Sequence, residues 1–117
     1  MSPLDLSAHD DARVLDLTTT GRVSGLPRTI EIWFVQYQNN LYVNAELGQR
    51  ARWVQNLLVH PDVRMRLKGM DLTGRARVLD LQEDGELWDV VADLSRQKYG
   101  WGEGLPVEIE ILHGECA

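Results

Sequence analysis

Two arginines flanking a serine, set among glycines, stand out in the segment 17–28, L-T-T-T-G-R-V-S-G-L-P-R. Gly21, Gly25 and Pro27 suit a turn, since glycine reaches positive φ at no steric cost and proline presets φ. Arg22 and Arg28 are not needed to make one. With Ser24 they offer two guanidinium forks, a hydroxyl and open backbone amides, the parts of an anion-binding corner. A solvated basic turn is the plainer alternative. Arg50 and Arg52 stand beside an expected helix start at Gly48, where free N–H groups and the positive dipole end favour an anion; as ordinary helix charges they would only face solvent. Trp33, Trp53 and Trp101 can wall a flat ring, although Trp53 at helical spacing fits a core equally well. The chemistry suggested is the capture of a small molecule with an anionic end and a planar end.

Other chemistries find no support. His9, His60 and His113 are scattered, and the single cysteine, Cys116, excludes a disulfide within the chain and a cysteine-based zinc site, so no metal centre is expected. No Ser-His-Asp arrangement or nucleophile motif is legible. Tyr99 is the one candidate proton donor, with ring-walling or a structural role as equal readings. Glu46 reads either as part of a ring edge or as a cap for the helix at Gly48.

The elements that must position these groups follow from periodicity. A first strand is expected at Arg13–Thr19, after a helical lead-in at Ser2–Asp11. Arg28–Tyr37 alternates Ile30, Ile32 and Phe34 against Thr29, Glu31 and Trp33, a second strand. Gln38-Asn39-Asn40 makes a hairpin turn into Leu41–Ala45. Gly48–Val59 switches to helical spacing and stops at His60-Pro61. Val63–Lys68 and Leu72–Leu81 alternate on either side of Gly69-Met70-Asp71, and Gln82–Lys98 reads as a second helix with Leu87, Trp88, Val91 and Leu94 on its apolar face. The stripe Arg64, Arg66, Lys68 with Arg75 and Arg77 reads as an exposed face, with cross-strand repulsion its awkward feature. A loop at 100–104 leads to a last strand, Pro106–Leu112. Antiparallel hairpins joined by two helices predict an α+β protein: a small antiparallel split β-barrel with two packed helices.

At 117 residues the chain is long enough for one core and is expected to be a single domain over 1–117. Residues 13–77 hold ten Arg/Lys against five Asp/Glu, while the remainder holds two against thirteen. A basic middle suits a small anion; acidic ends would repel nucleic acid. No run approaches the roughly 18 apolar residues of a membrane span, and no signal-peptide layout opens the chain, so a cytoplasmic protein is expected.

The turn Thr18–Arg28, followed by a strand, a hairpin and then Trp53-Val54-Gln55-Asn56-Leu57 with Pro61 and Val63 behind it, resembles a known family. It is similar to the split β-barrel deazaflavin (coenzyme F-420)-dependent nitroreductases and quinone reductases, within the flavin-binding split-barrel group that includes pyridoxamine-phosphate oxidase. The ordered motifs span Leu15–Gly69. The resemblance implies that Arg22, Ser24 and Arg28 hold the cofactor's phosphate or acidic tail. It implies that Trp33 and Asn44, Ala45, Glu46 and Leu47 wall the tricyclic ring, that Trp53 and Asn56 close the groove, and that Tyr99 and Trp101 border the substrate. It further implies a homodimer and a hydride transfer to a small electron-poor acceptor: a quinone, nitroaromatic or enone. Three departures stand against it: Val23 where the family commonly has lysine, Glu31 where it has proline, and the shorter stretch 47–52 before the tryptophan helix. FMN, with one phosphate and no glutamate tail, therefore stays open as the alternative cofactor, as does a non-catalytic carrier of a cofactor or apolar ligand.

Overall fold

The apolar–polar alternation becomes seven strands of one antiparallel sheet in the order β2-β1-β5-β6-β7-β4-β3. The strands are β1 (Leu15–Thr20), β2 (Pro27–Ile32), β3 (Phe34–Tyr37), β4 (Asn40–Ala45), β5 (Asp62–Leu67), β6 (Met70–Val78) and β7 (Leu105–Cys116). Helix α1 (Arg52–Val59) joins β4 to β5, and α2 (Gly85–Tyr99) joins β6 to β7. The computed structural model describes residues 12–116; the expected lead-in helix at 2–11 lies outside the described residues. The two edge strands, β2 and β3, follow each other in the chain, so the curled sheet is joined edge to edge by the polypeptide at Trp33. This is the α+β split barrel that the sequence predicts.

The join corrects the expectation of one strand over 28–37. The chain leaves its pairing with β1 at Ile32 and pairs with β4 from Phe34 onward. Backbone groups at such a break need partners, and two α2 side chains supply them. The Tyr99 hydroxyl accepts the Phe34 N–H at 3.1 Å, and Lys98 Nζ donates to the Phe34 carbonyl at 3.1 Å. Inside the barrel, Leu15, Leu17, Phe34, Leu41, Met65, Leu72 and Ile109 form the main core. On the outer side of β3 and β4, Val35 and Tyr42 pack against Val91 of α2.

The turn after β3 is one residue shorter than expected, since Asn40 already pairs with Tyr37; Gln38 and Asn39 both take positive φ, at 49° and 65°, the paired left-handed geometry of a tight hairpin. The next hairpin turns one residue earlier than expected, at Lys68-Gly69, and Met70 is already a buried strand residue. The helix expected from Gly48 is likewise divided. Residues 48–50 form a 3-10 turn, Ala51 is extended at φ −62°, ψ 133°, and α1 begins at Arg52. Ala51 packs with Ala45 and Val54, which holds it out of the helix. No side chain caps either element, so Glu46 does not cap. β6 ends at Val78 and not at Leu81, because Asp80 starts a turn: its carboxylate accepts the Gln82 and Glu83 N–H groups at 2.8 and 3.0 Å. α2 therefore begins at Gly85, three residues late, and runs to Gly100 in the left-handed conformation.

The basic stripe proves to be matched. Register sets Arg75 opposite Asp62, Arg66 opposite Asp71 and Arg64 opposite Thr73, while Arg75 and Arg77 face Glu110 and Glu108 of β7. The expected repulsion across β5 and β6 is absent because the hairpin offset never sets arginine against arginine.

Candidate cofactor site

Two cavities lie along the outer edge of the barrel, both touching β2. The first, of 880 Å³, opens between the loop 21–26, the start of β2 and α1. Backbone bonds close the loop: Gly21 N–H donates to the Leu26 carbonyl at 2.8 Å, and Gly25 N–H to the Gly21 carbonyl at 2.9 Å. Ser24 Oγ accepts the Leu26 N–H at 3.2 Å, so this hydroxyl shapes the loop while keeping its own proton to donate. Gly25 sits at φ +71°, as its place in the turn predicts. Arg22, Ser24, Arg28, Arg52, Trp53 and Asn56 all line this cavity, and no carboxylate does. Arg22, Arg28 and Arg52 thus line one cavity.

Asn56 is the residue that holds the loop to the helix. It is 5% exposed, its Oδ1 accepts the Arg22 backbone N–H at 3.1 Å, and its Nδ2 donates to Thr19 Oγ1 at 3.2 Å. Its amide is thus spent on positioning Arg22. Thr19, buried at the barrel mouth, is a site residue that sequence reasoning missed. Its signal was parity, for Leu15, Leu17 and Thr19 alternate to the same inward face.

The second cavity, of 510 Å³, lies where β2 passes into β3, beneath the C-terminal end of α2 and the loop after it. It brings together Trp33, Asn44 and Glu46 with Glu31, Tyr42, Tyr99 and Trp101. Trp33 is 46% exposed and stacks on Tyr99 with ring centroids 4.5 Å apart and planes 3° from parallel. The Arg13 guanidinium lies 4.7 Å from the Tyr99 ring centre and donates to the Lys98 carbonyl at 2.9 Å. The Tyr99 oxygen also lies 2.7 Å from the Arg13 carbonyl and 2.8 Å from that of Phe34. A hydroxyl with one proton and three such neighbours acts as a clamp. Neither Arg13 nor Lys98 was read as part of this region, since only the tertiary fold brings 13, 34 and 99 together.

Asn44 Oδ1 is buried in the wall and has no hydrogen-bond partner among the described residues. A buried carbonyl left unpaired costs on the order of 1–3 kcal/mol, and an N–H of a bound ring would relieve it. Deeper in the wall the Tyr42 hydroxyl donates to Glu108 Oε2 at 2.9 Å. Burial first, then the Glu108 carboxylate, pushes the Tyr42 phenol well above its ordinary value, so it stays protonated. Glu108 is tied in turn to Arg77, 3.5 Å away, and Arg77 to Asp84 at 2.9 Å. Hydrogen bonds from the Asp80 backbone and from Arg77 hold the Asp84 carboxyl below the usual carboxylate range, and Asp84 raises Arg77 in return.

Three expected residues stand apart from both cavities, the first being Leu47, exposed just ahead of the 3-10 turn. Ala45 is buried at the end of β4 in the small cluster with Ala51 and Val54. Arg50 is exposed on the 3-10 turn. Glu31, which departs from the family pattern, faces the aromatic cavity and not the arginine cavity. Among the described residues no group of His, Cys, Asp and Glu is arranged to hold a metal ion. No helix among them is long and apolar enough to cross a membrane.

The parts fit a flavin-type cofactor: guanidinium groups for an anionic tail, aromatic faces for a tricycle and an unpaired acceptor for the ring's pyrimidine N–H. The curled antiparallel sheet is that of the split barrels. An F420 reductase covers all of this chain and all of its own at TM-score 0.68 and 14% identity. An FAD-binding protein from Mesorhizobium loti covers 97% of this chain and 92% of its own (TM-score 0.73, 17% identity). A pyridoxamine 5'-phosphate oxidase-like protein from Listeria innocua covers 94% and 92% (TM-score 0.68, 16% identity). These likenesses establish the fold. No curated protein matches the sequence. The family model of the F420H(2)-dependent quinone reductases matches residues 7–111, and the chain belongs to that family. It is thereby one of the deazaflavin-dependent reductases, with a deazaflavin as the family's cofactor.

Proposed function

We propose that the protein binds a deazaflavin along β2 and uses its reduced form to reduce a small electron-poor acceptor, a quinone, nitroaromatic or enone. The observation that carries this reading is the pairing of the two cavities on one strand. Arg28 lines the arginine cavity and Ile32 the aromatic one, four residue steps along the strand, about 13 Å. Arg22, Arg28 and Arg52 bind the phosphate and acidic tail, charge-assisted and without a competing carboxylate in the lining. Ser24 donates its free proton to the same anion. The ring lies against Trp33, with Asn44 Oδ1 accepting its pyrimidine N–H. When bound, the deazaflavin supplies the hydride. The chain's own work is to hold the ring flat, to keep Trp33 in place through the Tyr99 clamp, and to exclude water with Trp101. Tyr99 is a positioning residue in this reading, because its hydroxyl is engaged by the backbone.

Val23 is 90% exposed at the tip of the loop and adds no ammonium to the cavity it lines. That observation favours FMN as a second reading, since one phosphate needs fewer cations than an acidic tail. We also propose that a second copy of the chain covers the exposed Val23, Leu26, Leu47, Leu58 and Val59 as a homodimer.

Parallel titrations with deazaflavin and FMN, followed by cofactor fluorescence, test the assignment. The reading expects micromolar or tighter deazaflavin binding that weakens at least tenfold in Arg28→Ala and falls with salt. Unchanged affinity for both cofactors in that variant would remove the phosphate site.

A further inference from the structure

Trp33 sits at the break between β2 and β3, outside both strand ladders, and is 46% exposed. Its ring contact is the parallel stack on Tyr99, so the direction of the phenol sets that of the indole. Tyr99 in turn is gripped by one residue in three ways. The Arg13 guanidinium lies 4.7 Å from the phenol centre, within reach of a cation–π contact. Its Nη1 donates to the Lys98 carbonyl at 2.9 Å, one of the last-turn carbonyls that a helix leaves open, and so fixes the end of α2 that carries Tyr99. The Arg13 main-chain carbonyl lies 2.7 Å from the phenol oxygen. Lys98 is farther from the phenol, at 5.3 Å, and its ammonium is engaged by the ring and carbonyl of Phe34. Arg13 itself lines neither cavity, whereas its neighbour Val14 lines the aromatic one.

We infer that Arg13 is a positioning residue for the ring site: its guanidinium holds Tyr99 and, through Tyr99, the Trp33 face on which a flat ring rests. An uncharged side chain at this position keeps the main-chain contact but frees the phenol to tilt, and the indole with it. The consequence for binding rests on the deazaflavin reading above, whereas the ordering of the aromatic pair does not. Arg13 acts on the planar end of the ligand alone, because the arginine cavity that takes the anionic end lies about 13 Å away along β2.

The test compares Arg13→Gln and Arg13→Lys with the wild type, on the full chain. Without ligand, the near-UV circular dichroism band that Trp33→Phe removes reports the order of the aromatic pair. Arg13→Gln should lose most of that band, and Arg13→Lys, which returns a cation to the phenol, should recover part of it. Deazaflavin and its tail-less form, the ring with the ribityl chain alone, are then titrated by their own fluorescence. Both should bind about three- to tenfold more weakly to Arg13→Gln, with the ratio of the two affinities unchanged because the anionic end is untouched. Arg13 is exposed, so the variants keep the fold, which far-UV circular dichroism verifies. An undiminished aromatic band in Arg13→Gln would overturn the inference. A lost band in a protein that binds neither probe, or whose affinities for both stay unchanged, would refute the placing of the ring on Trp33 and leave the positioning role standing.

Discussion

Asn56→Ala is the substitution that most sharply separates an architectural anchor from a passive lining residue. The side chain is almost fully buried, and its hydrogen bonds link α1 to β1 and to the arginine loop. Its removal leaves Thr19 Oγ1 without its amide donor in a site only 1% exposed. It also leaves the part-buried Arg22 N–H without its acceptor. Each orphaned group costs about 1–2 kcal/mol at this burial, so the expected loss is about 2–4 kcal/mol. For a domain of this size that corresponds to a fall in Tm of about 8–15 °C. The assay is thermal unfolding by circular dichroism on the wild type, Asn56→Ala, Thr19→Val and the double variant. The two residues share one bond, so the double variant should lose clearly less than the sum of the singles. Deazaflavin affinity should fall in Asn56→Ala well below the folding midpoint, because Arg22 loses its fixed direction. A Tm within about 2 °C of the wild type, or strict additivity, would refute the anchoring role.

Further outcomes follow from other parts of the structure. Tyr99→Phe removes the hydroxyl that accepts the Phe34 N–H at the strand break but keeps the ring beneath Trp33; stability should drop by about 1–2 kcal/mol while Trp33 emission stays near its wild-type position. Gly74→Ala places a Cβ 2.6 Å from the Glu110 carbonyl and 2.8 Å from Ile109 Cγ2 beside the β6 bulge, so chemical denaturation should show a loss of about 2 kcal/mol or more. Tyr42 has its phenol raised by burial, so its protonated form is favoured in the folded state; the stability it contributes is complete below about pH 10 and is lost as pH rises beyond the ordinary tyrosine value. Alkaline titration followed at the tyrosinate absorbance should therefore show one tyrosine that ionises only on unfolding. Asp84 behaves in the opposite sense: its carboxyl is lowered, so its contribution is present above the ordinary carboxylate range and disappears as pH falls through it. Asp84→Asn should accordingly flatten the acid limb of the stability profile.

The elements were legible where a local rule decides them. Val63, Met65 and Leu67 alternate and form a half-buried strand, Asn39 tolerates the left-handed turn it occupies, and His60-Pro61 ends α1. The break at Trp33 was not legible, because the period of two runs through it without interruption and only the closing of the sheet demands a change of partner. Nor could the sequence show that Arg66 would face Asp71 and Arg75 face Asp62, since register is a tertiary fact. The placing of Arg22 and Arg28 on one cavity could be anticipated because two arginines with no turn-making purpose stood in a turn. Arg50 and Arg52 read alike in the sequence, and only Arg52 lines the cavity, Arg50 standing on the 3-10 turn. Thr19, Arg13 and Lys98 escaped because their partners are 37, 85 and 64 positions away.

A crystal structure of the protein with deazaflavin bound tests the central claim most directly. The account predicts the phosphate among Arg22, Arg28 and Arg52, and the pyrimidine N–H of the ring within hydrogen-bond distance of Asn44 Oδ1. A phosphate held away from those three guanidinium groups, or a ring lying clear of Trp33 and Asn44, would contradict it.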